Sequence, residues 1–283
     1  GGYATGANVT TADYTIAIGS QVIGLGVTTG DYNIALGRQA GYDLTSGTYN
    51  IFSGYQAGAN VTTGIGNVFS GYQAGEFATT SNYGIAIGYN AIGLGVLTGT
   101  DNTAIGRGAG ADLTSGTYNN FMGYAAGANV TTADNTVAIG RDAIGLGVLT
   151  GTDNIAVGYN AGYDLTSGHS NVLTSYRAGF NLTTGTYNVL TGYQAGLNAT
   201  TSSHTIAIGY NAIGAGVLTG SQNTAIGREA GQDLTSGANN NFMGYRAGFN
   251  ATTGSQNIAL GYQAIGLGVL TGTENIGIGR EAG

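Results

Sequence analysis

Few side chains in this chain could do chemistry, and their spacing keeps them apart. There are two histidines, His169 and His204, fourteen acidic residues and seven arginines, with no Cys and no Lys. A catalytic or metal site needs several such groups to converge. The histidines occupy unrelated offsets in what proves to be a repeating sequence. Asp43, Asp112, Asp164 and Asp233 each open an Asp-Leu-Thr-Ser-Gly motif and recur three or four repeat units apart. On stacked coils that places them about 14–19 Å from one another, too far to share a metal. Gly106-x-Gly108-x-Gly110 has the look of a phosphate-binding loop but is never followed by Gly-Lys-Ser/Thr. The Gly-Gly-x-Gly-x-Asp calcium nonapeptide is also missing. The expectation is a protein that is not an enzyme, with no cofactor, no metal and no catalytic residue.

The chemistry that remains comes in columns, and the columns come from a repeat. Take the last Gly of Asn102-Thr103-Ala104-Ile105-Gly106 as position 0. Its equivalents return from Gly2 and Gly19 to Gly279 at spacings of 17 or 18 residues, with Ser175 the one replacement for Gly. The 18-residue units begin at Gly19, Gly88, Gly140, Gly209 and Gly261. Each carries Ile-Gly-x-Gly-Val, as in Ile92-Gly93-Leu94-Gly95-Val96. They recur after four, three, four and three units, a super-repeat of seven units or 121 residues.

Units this short enclose a core only by stacking, which is the logic of a solenoid. Recurrent Gly, Thr and Asn disfavour helix, whereas Asn-Ile-Ala-Ile-Gly is a short β-branched run bounded by turn formers. The sequence therefore predicts an all-β fold. It is a parallel β-solenoid or β-roll of 17–18-residue coils, about 16 in number, with two or three short strands per coil and a rise of about 4.8 Å. Residues 1–283 read as one continuous repeat segment of a longer chain. Net charge is −7 with only 7% charged residues, so no basic surface for nucleic acid is expected. No run of about 18 apolar residues supports membrane insertion.

Three sets of positions are candidates for function. Position +1 holds Tyr or Arg: Tyr55, Tyr72, Tyr89, Arg107, Tyr124, Arg141, Tyr159, Tyr176, Tyr193 and Tyr210. These predict a stacked aromatic–guanidinium ladder, structural or glycan-binding. Asn8, Asn60, Asn129, Asn181, Asn198 and Asn250 stand in Asn-x-Thr acceptor sequences for N-glycosylation. The same Asn/Asp-x-Thr-Thr/Ser pattern also reads as a turn whose side chain caps nearby backbone. A third set, Phe52, Phe69, Phe121, Leu173, Leu190 and Phe242, places bulk one residue earlier in the strand than Ile105 or Ile208 does. Neighbouring strand residues face opposite sides, so these six are candidates for interchain packing. The column at −4, Asn in most units, predicts amides hydrogen-bonded from coil to coil.

The Asn-x-Ala-Ile-Gly-x-x-Ala core resembles the head repeat of trimeric autotransporter adhesins, which are β-rolls. The longer unit Asn188-Val189-Leu190-Thr191-Gly192-Tyr193-Gln194-Ala195, followed by Asn198-Ala199-Thr200-Thr201, is similar to repeats of tail-fibre-like proteins. Autotransporter head coils are shorter, so a trimer does not carry over. The resemblance implies an extracellular, cell-surface or virion fibre that projects, bridges or adheres, and the seven-unit pattern fits a rod that self-associates as a homo-oligomer or filament. A receptor- or carbohydrate-binding tail fibre that engages cell-surface glycans is the alternative. An ice-binding solenoid fits less well, because adjacent Thr residues point to opposite sides of a strand.

Overall fold

The computed structural model describes residues 11–23 and 27–283, so Asn8 lies outside the described residues. Two compact units, Gly1–Ile139 and Gly140–Gly283, are built in the same way. The first contains β1 (Ile16–Ile18), β2 (Ile34–Leu36), β3 (Ile51–Ser53), β4 (Val68–Ser70), β5 (Ile85–Ile87), β6 (Thr103–Ile105), β7 (Asn120–Met122) and β8 (Val137–Ile139). The second contains β9 (Ile155–Val157), β10 (Val172–Thr174), β11 (Val189–Thr191), β12 (Ile206–Ile208), β13 (Thr224–Ile226), β14 (Asn241–Met243), β15 (Ile258–Leu260) and β16 (Ile276–Ile278).

Within each unit every strand pairs in parallel with the next, in register. Ala104 faces Phe121 across β6 and β7, and Leu190 faces Ala207 across β11 and β12. The parallel β-solenoid expected from the repeat is the fold that forms. A coil contains one three-residue strand where two or three were expected. Outside the named strands, single parallel bridges such as Ala78 with Leu97 and Ala199 with Leu218 link neighbouring coils. No helix of the described residues is long and apolar enough to cross a membrane.

Each strand stops at the position-0 glycine for a steric reason. Gly106 has φ +133°, and a Cβ there would run into the carbonyl of Gly123 in the next coil. Coils stack so closely at this corner that side chains are excluded; Ser175 alone, at φ 107°, tolerates the site. Three further columns, +2, +4 and −5, also adopt left-handed backbone, as at Gln56, Gly58 and Tyr49 with φ 55°, 58° and 60°. These turns make the sheet's neighbouring segments irregular and confine regular pairing to three residues.

The core corrects one expectation and explains the irregularity behind it. Phe52, Phe69, Phe121, Leu173, Leu190 and Phe242 are fully buried in the coil interior, so they are not available for interchain packing. Position −2 faces inward in every described coil, whether it is Phe121 or Ala104. Bulk moves between two core columns, −2 and +4, as well as across the sheet, where buried Phe52 is followed by Ser53 and buried Ala86 by the exposed Ile87. Where −2 is Phe52, position +4 is Gly58, whose added Cβ would lie 2.6 Å from the ring. In long coils −2 is Ala, as Ala86 or Ala207, and +4 becomes a buried Ile, Ile92 or Ile213. Those isoleucines sit at φ 45° and 48°, a conformation that costs a β-branched residue roughly 1–2 kcal/mol. Burying the side chain returns roughly 1.5–3 kcal/mol, so filling the gap wins. Coils with both columns small are served by neighbours: Gly110 approaches Phe121 of the next coil and Ile92 of the previous one.

Candidate functional site

The −4 column forms runs of amide ladder, Asn33 to Asn67 and Asn102 to Asn119 in the first unit, and Asn154 to Asn188 and Asn223 to Asn275 in the second. The Asn50 side chain donates through Nδ2 to Asn33 Oδ1 (3.1 Å) and to the Gly64 carbonyl (2.8 Å). Its own Oδ1 accepts from the backbone NH and Nδ2 of Asn67, both at 3.0 Å. Asn171 and Asn188 repeat the pattern in the second unit. All these residues are buried, and the ladder satisfies both amide hydrogens and the carbonyl oxygen, which makes burial affordable in free-energy terms. It ends at Gly84, Thr136 and Thr205, whose backbone NH groups still bond the preceding Asn Oδ1. Each of these three sits one strand before a long coil's Ile-Gly-x-Gly-Val.

The +1 column forms the expected ring ladder. Tyr55, Tyr72 and Tyr89 stack at centroid distances of 4.9 and 5.0 Å. Arg107 continues the row, 5.5 Å from the Tyr89 ring and 5.7 Å from Tyr124. In the second unit Arg141 lies 5.7 Å from Tyr159. Tyr159, Tyr176, Tyr193 and Tyr210 follow at 5.4, 4.9 and 5.1 Å. Stacking occupies both faces of the inner rings and leaves edges and hydroxyl groups toward solvent. A second aromatic row at −5 went unread in the sequence. Tyr14, Tyr32 and Tyr49 stack at 5.0 and 4.9 Å, and Tyr187 stacks with His204 at 5.0 Å. Its signal was present in the spacing but was diluted by Asp101, Ser170 and Gln222 in the same column.

The Asn-x-Thr positions are rungs between coils. Asn60, Asn129, Asn181, Asn198 and Asn250 are half-buried. Asn181 Nδ2 donates to Asn198 Oδ1 (2.6 Å), and Asn250 Nδ2 donates to the Gly266 carbonyl (2.9 Å). The threonines Thr62 and Thr183 donate Oγ1–H to the carbonyls of Thr79 and Thr200. The expected local turn capping is thus replaced by coil-to-coil bonds, because the next coil's carbonyls lie one stacking step away. A glycan on Asn181 or Asn250 would replace one of the two Nδ2 hydrogens and leave the other to hold the rung.

The outer face of the sheet is the largest feature that these ladders leave open. Positions −3 and −1 point outward. Among the described residues they include Ile85 and Ile87 (36% and 40% exposed), Met122 (42%), and Ile206 and Ile208 (37% and 38%). No Asp, Glu or Arg occurs at either position. Among the described residues no cavity or cleft opens on the surface, and no cluster of His, Asp and Glu could hold a metal.

One ion-pair group stands apart. Glu229, largely buried, accepts from Arg246 Nε at 2.6 Å and from Arg228 Nε at 3.2 Å. The Arg246 hydrogen bond holds its carboxyl below the usual range. Burial instead raises Asp43, Asp164 and Asp233. A depressed carboxyl contributes stability above its unfolded value of 4.5 and loses it as pH falls through the folded value. The raised aspartates act in the opposite direction. The melting temperature of the wild type is therefore expected to exceed that of Glu229→Gln at pH 7. The gap should close as a pH series of thermal melts descends below the carboxylate range.

The fold and its ladders define a parallel β-solenoid repeat protein. No protein-family model matches the chain, and no curated protein matches it in sequence.

Proposed function

We propose that this chain is a structural, adhesive segment of an extracellular fibre that associates with copies of itself through the outer face of its parallel sheets. One observation carries the reading: an uncharged −3/−1 face, apolar around Ile87 and Ile208 and interrupted by residues such as Ser70, Asn120 and Thr191, lies open in each unit. Parallel sheets are ordinarily covered on both faces. Here the coil interior covers one. Eight strands of three residues present a strip on the order of 400 Å² per unit, within the size range that marks interaction sites. A second copy suits the face because it brings no charge to bury at these positions. The extracellular placement rests on the resemblance of the Asn-x-Ala-Ile-Gly repeat to fibre and adhesin repeats.

Glycan recognition would use the Tyr/Arg row. Sugar stacking needs free ring faces, and those of Tyr72 and Tyr193 are taken by neighbouring rings, so self-association is the better-supported reading. Light scattering and electron microscopy test it. The wild-type chain is expected to form oligomers or filaments, and the double variant Ile87→Asp/Ile208→Asp to form nothing larger than a dimer, with unchanged circular dichroism. A wild-type chain that stays monomeric at high concentration overturns the proposal.

A further inference from the structure

The long coils carry a second exposed apolar feature, on the stretch that follows the buried Ile at +4. Leu94 and Val96 are 57% and 55% exposed, Leu146 and Val148 are 58% and 56%, and Val217 is 57%. Short coils have half-buried Asn and Thr rungs at the corresponding place. The loops do not hang loose. In the first unit Leu94 N and Gly95 N both bond the Ala111 carbonyl of the next coil at 3.0 Å. In the second, Ala215 N and Gly216 N bond the Gln232 carbonyl at 3.0 and 3.1 Å. Each loop is closed by a buried Leu, Leu97 or Leu218, that bridges the preceding coil at Ala78 or Ala199. The exposed pair is thus presented outward from a fixed backbone, and Val96 and Val217 cannot turn in without breaking these bonds.

The geometry points to a contact between like loops of two parallel copies of this chain, which sets the axial register of the assembly. This rests on the self-association reading and adds to it a second, separate contact. Two observations select a second copy as the occupant. The loops bear no charged residue from Ile92 to Thr98 or from Ile213 to Thr219, so like can pack on like without burying a charge. Their spacing is uneven. In the second unit the long coils begin at Gly140, Gly209 and Gly261, four and then three coils apart, or about 19 Å and 14 Å along the stack. A partner must carry apolar knobs at the same uneven intervals, which this chain itself does. Direction follows from the same asymmetry: a parallel copy in register aligns all three loops, whereas an antiparallel copy presents three then four and aligns at most two. A shift by seven coils, about 34 Å, restores the match, so longer chains of this repeat would lock at that stagger as well.

The two contacts have different consequences. Each isologous contact closes on itself and by itself yields a pair. A chain with two such contacts, one on the sheet face and one on the loops, links copies laterally without limit. That is the construction of a fibre bundle.

The Cys-free sequence allows a direct test by oxidative cross-linking of single-cysteine variants of the full chain. Val217→Cys is expected to give cross-linked dimer at about tenfold the yield of the equally soluble control Thr184→Cys, because the contact raises the local thiol concentration. The mixture of Val148→Cys with Val217→Cys should yield only the two homodimers. Light scattering of the wild type is run alongside, and circular dichroism confirms that each variant retains the fold. Val217→Cys cross-linking no better than the control, in a wild type that still oligomerises, overturns the loop contact and leaves the sheet-face reading standing. Free formation of the mixed dimer also overturns it, since register would then be unset. A wild type that does not associate overturns both.

Discussion

Replacing Asn188 with Leu is expected to destabilise its unit by on the order of 3–5 kcal/mol, although the two side chains are similar in size. Asn188 Nδ2 serves Asn171 Oδ1 and the Ser202 carbonyl at 3.0 and 2.9 Å, and its Oδ1 receives the backbone NH of Thr205 at 2.9 Å. Leu leaves the Thr205 NH and the Ser202 carbonyl unpaired in a buried site, at about 1–3 kcal/mol each. The added apolar burial does not offset that. Asn188→Asp should be worse at neutral pH, because a carboxylate would face the Asn171 and Ser202 oxygens with no proton to donate. Because coils contact only their neighbours, the damage should be local at first. Hydrogen exchange of the Thr205 amide and chemical denaturation of both variants provide the measurement. A Leu variant within about 1 kcal/mol of the wild type would show that the ladder is ornamental.

The second large effect concerns the two core columns. Phe121→Ala is expected to cost about 3–5 kcal/mol through the cavity it leaves. Gly127→Ile alone should also be strongly destabilising, since a Cβ at Gly127 would lie 2.5 Å from Phe121 Cδ1 and the backbone there has φ 60°. Combined, the two changes recreate the Ala86 and Ile92 arrangement that the same unit already uses. The double variant should recover part of the loss, short of the wild type because Ile in left-handed backbone costs roughly 1–2 kcal/mol. A double-mutant cycle measured by denaturation is expected to show a coupling of about 2 kcal/mol. Additive effects would refute volume exchange between −2 and +4.

Much of the architecture was legible in the residues. Spacings of 17 and 18 set the stacking register, the β-branched triplets set the strands, and repeated Tyr and Asn at one offset set ladders that the structure contains at Tyr72 and Asn50. These properties are local or strictly periodic, so sequence determines them without knowledge of the interior. Alternation along a strand likewise shows that Phe121 and Met122 face opposite ways.

Tertiary structure decided which of those ways is inward. Phe121 in place of Ala104 adds bulk to one face of the strand, and only the packing of Gly127 against its ring shows that this face is the coil interior. The left-handed conformations at Tyr49 and Ile92 were also hidden, because neither residue favours that backbone on its own. Their reason lies in the neighbouring coils, which hold the turn and leave a volume to fill. Exposure of Ile87, Ile208 and Val217 belongs to the same class of fact: the residue type was visible in the sequence, but the side on which it emerges follows from how the coil closes around its core.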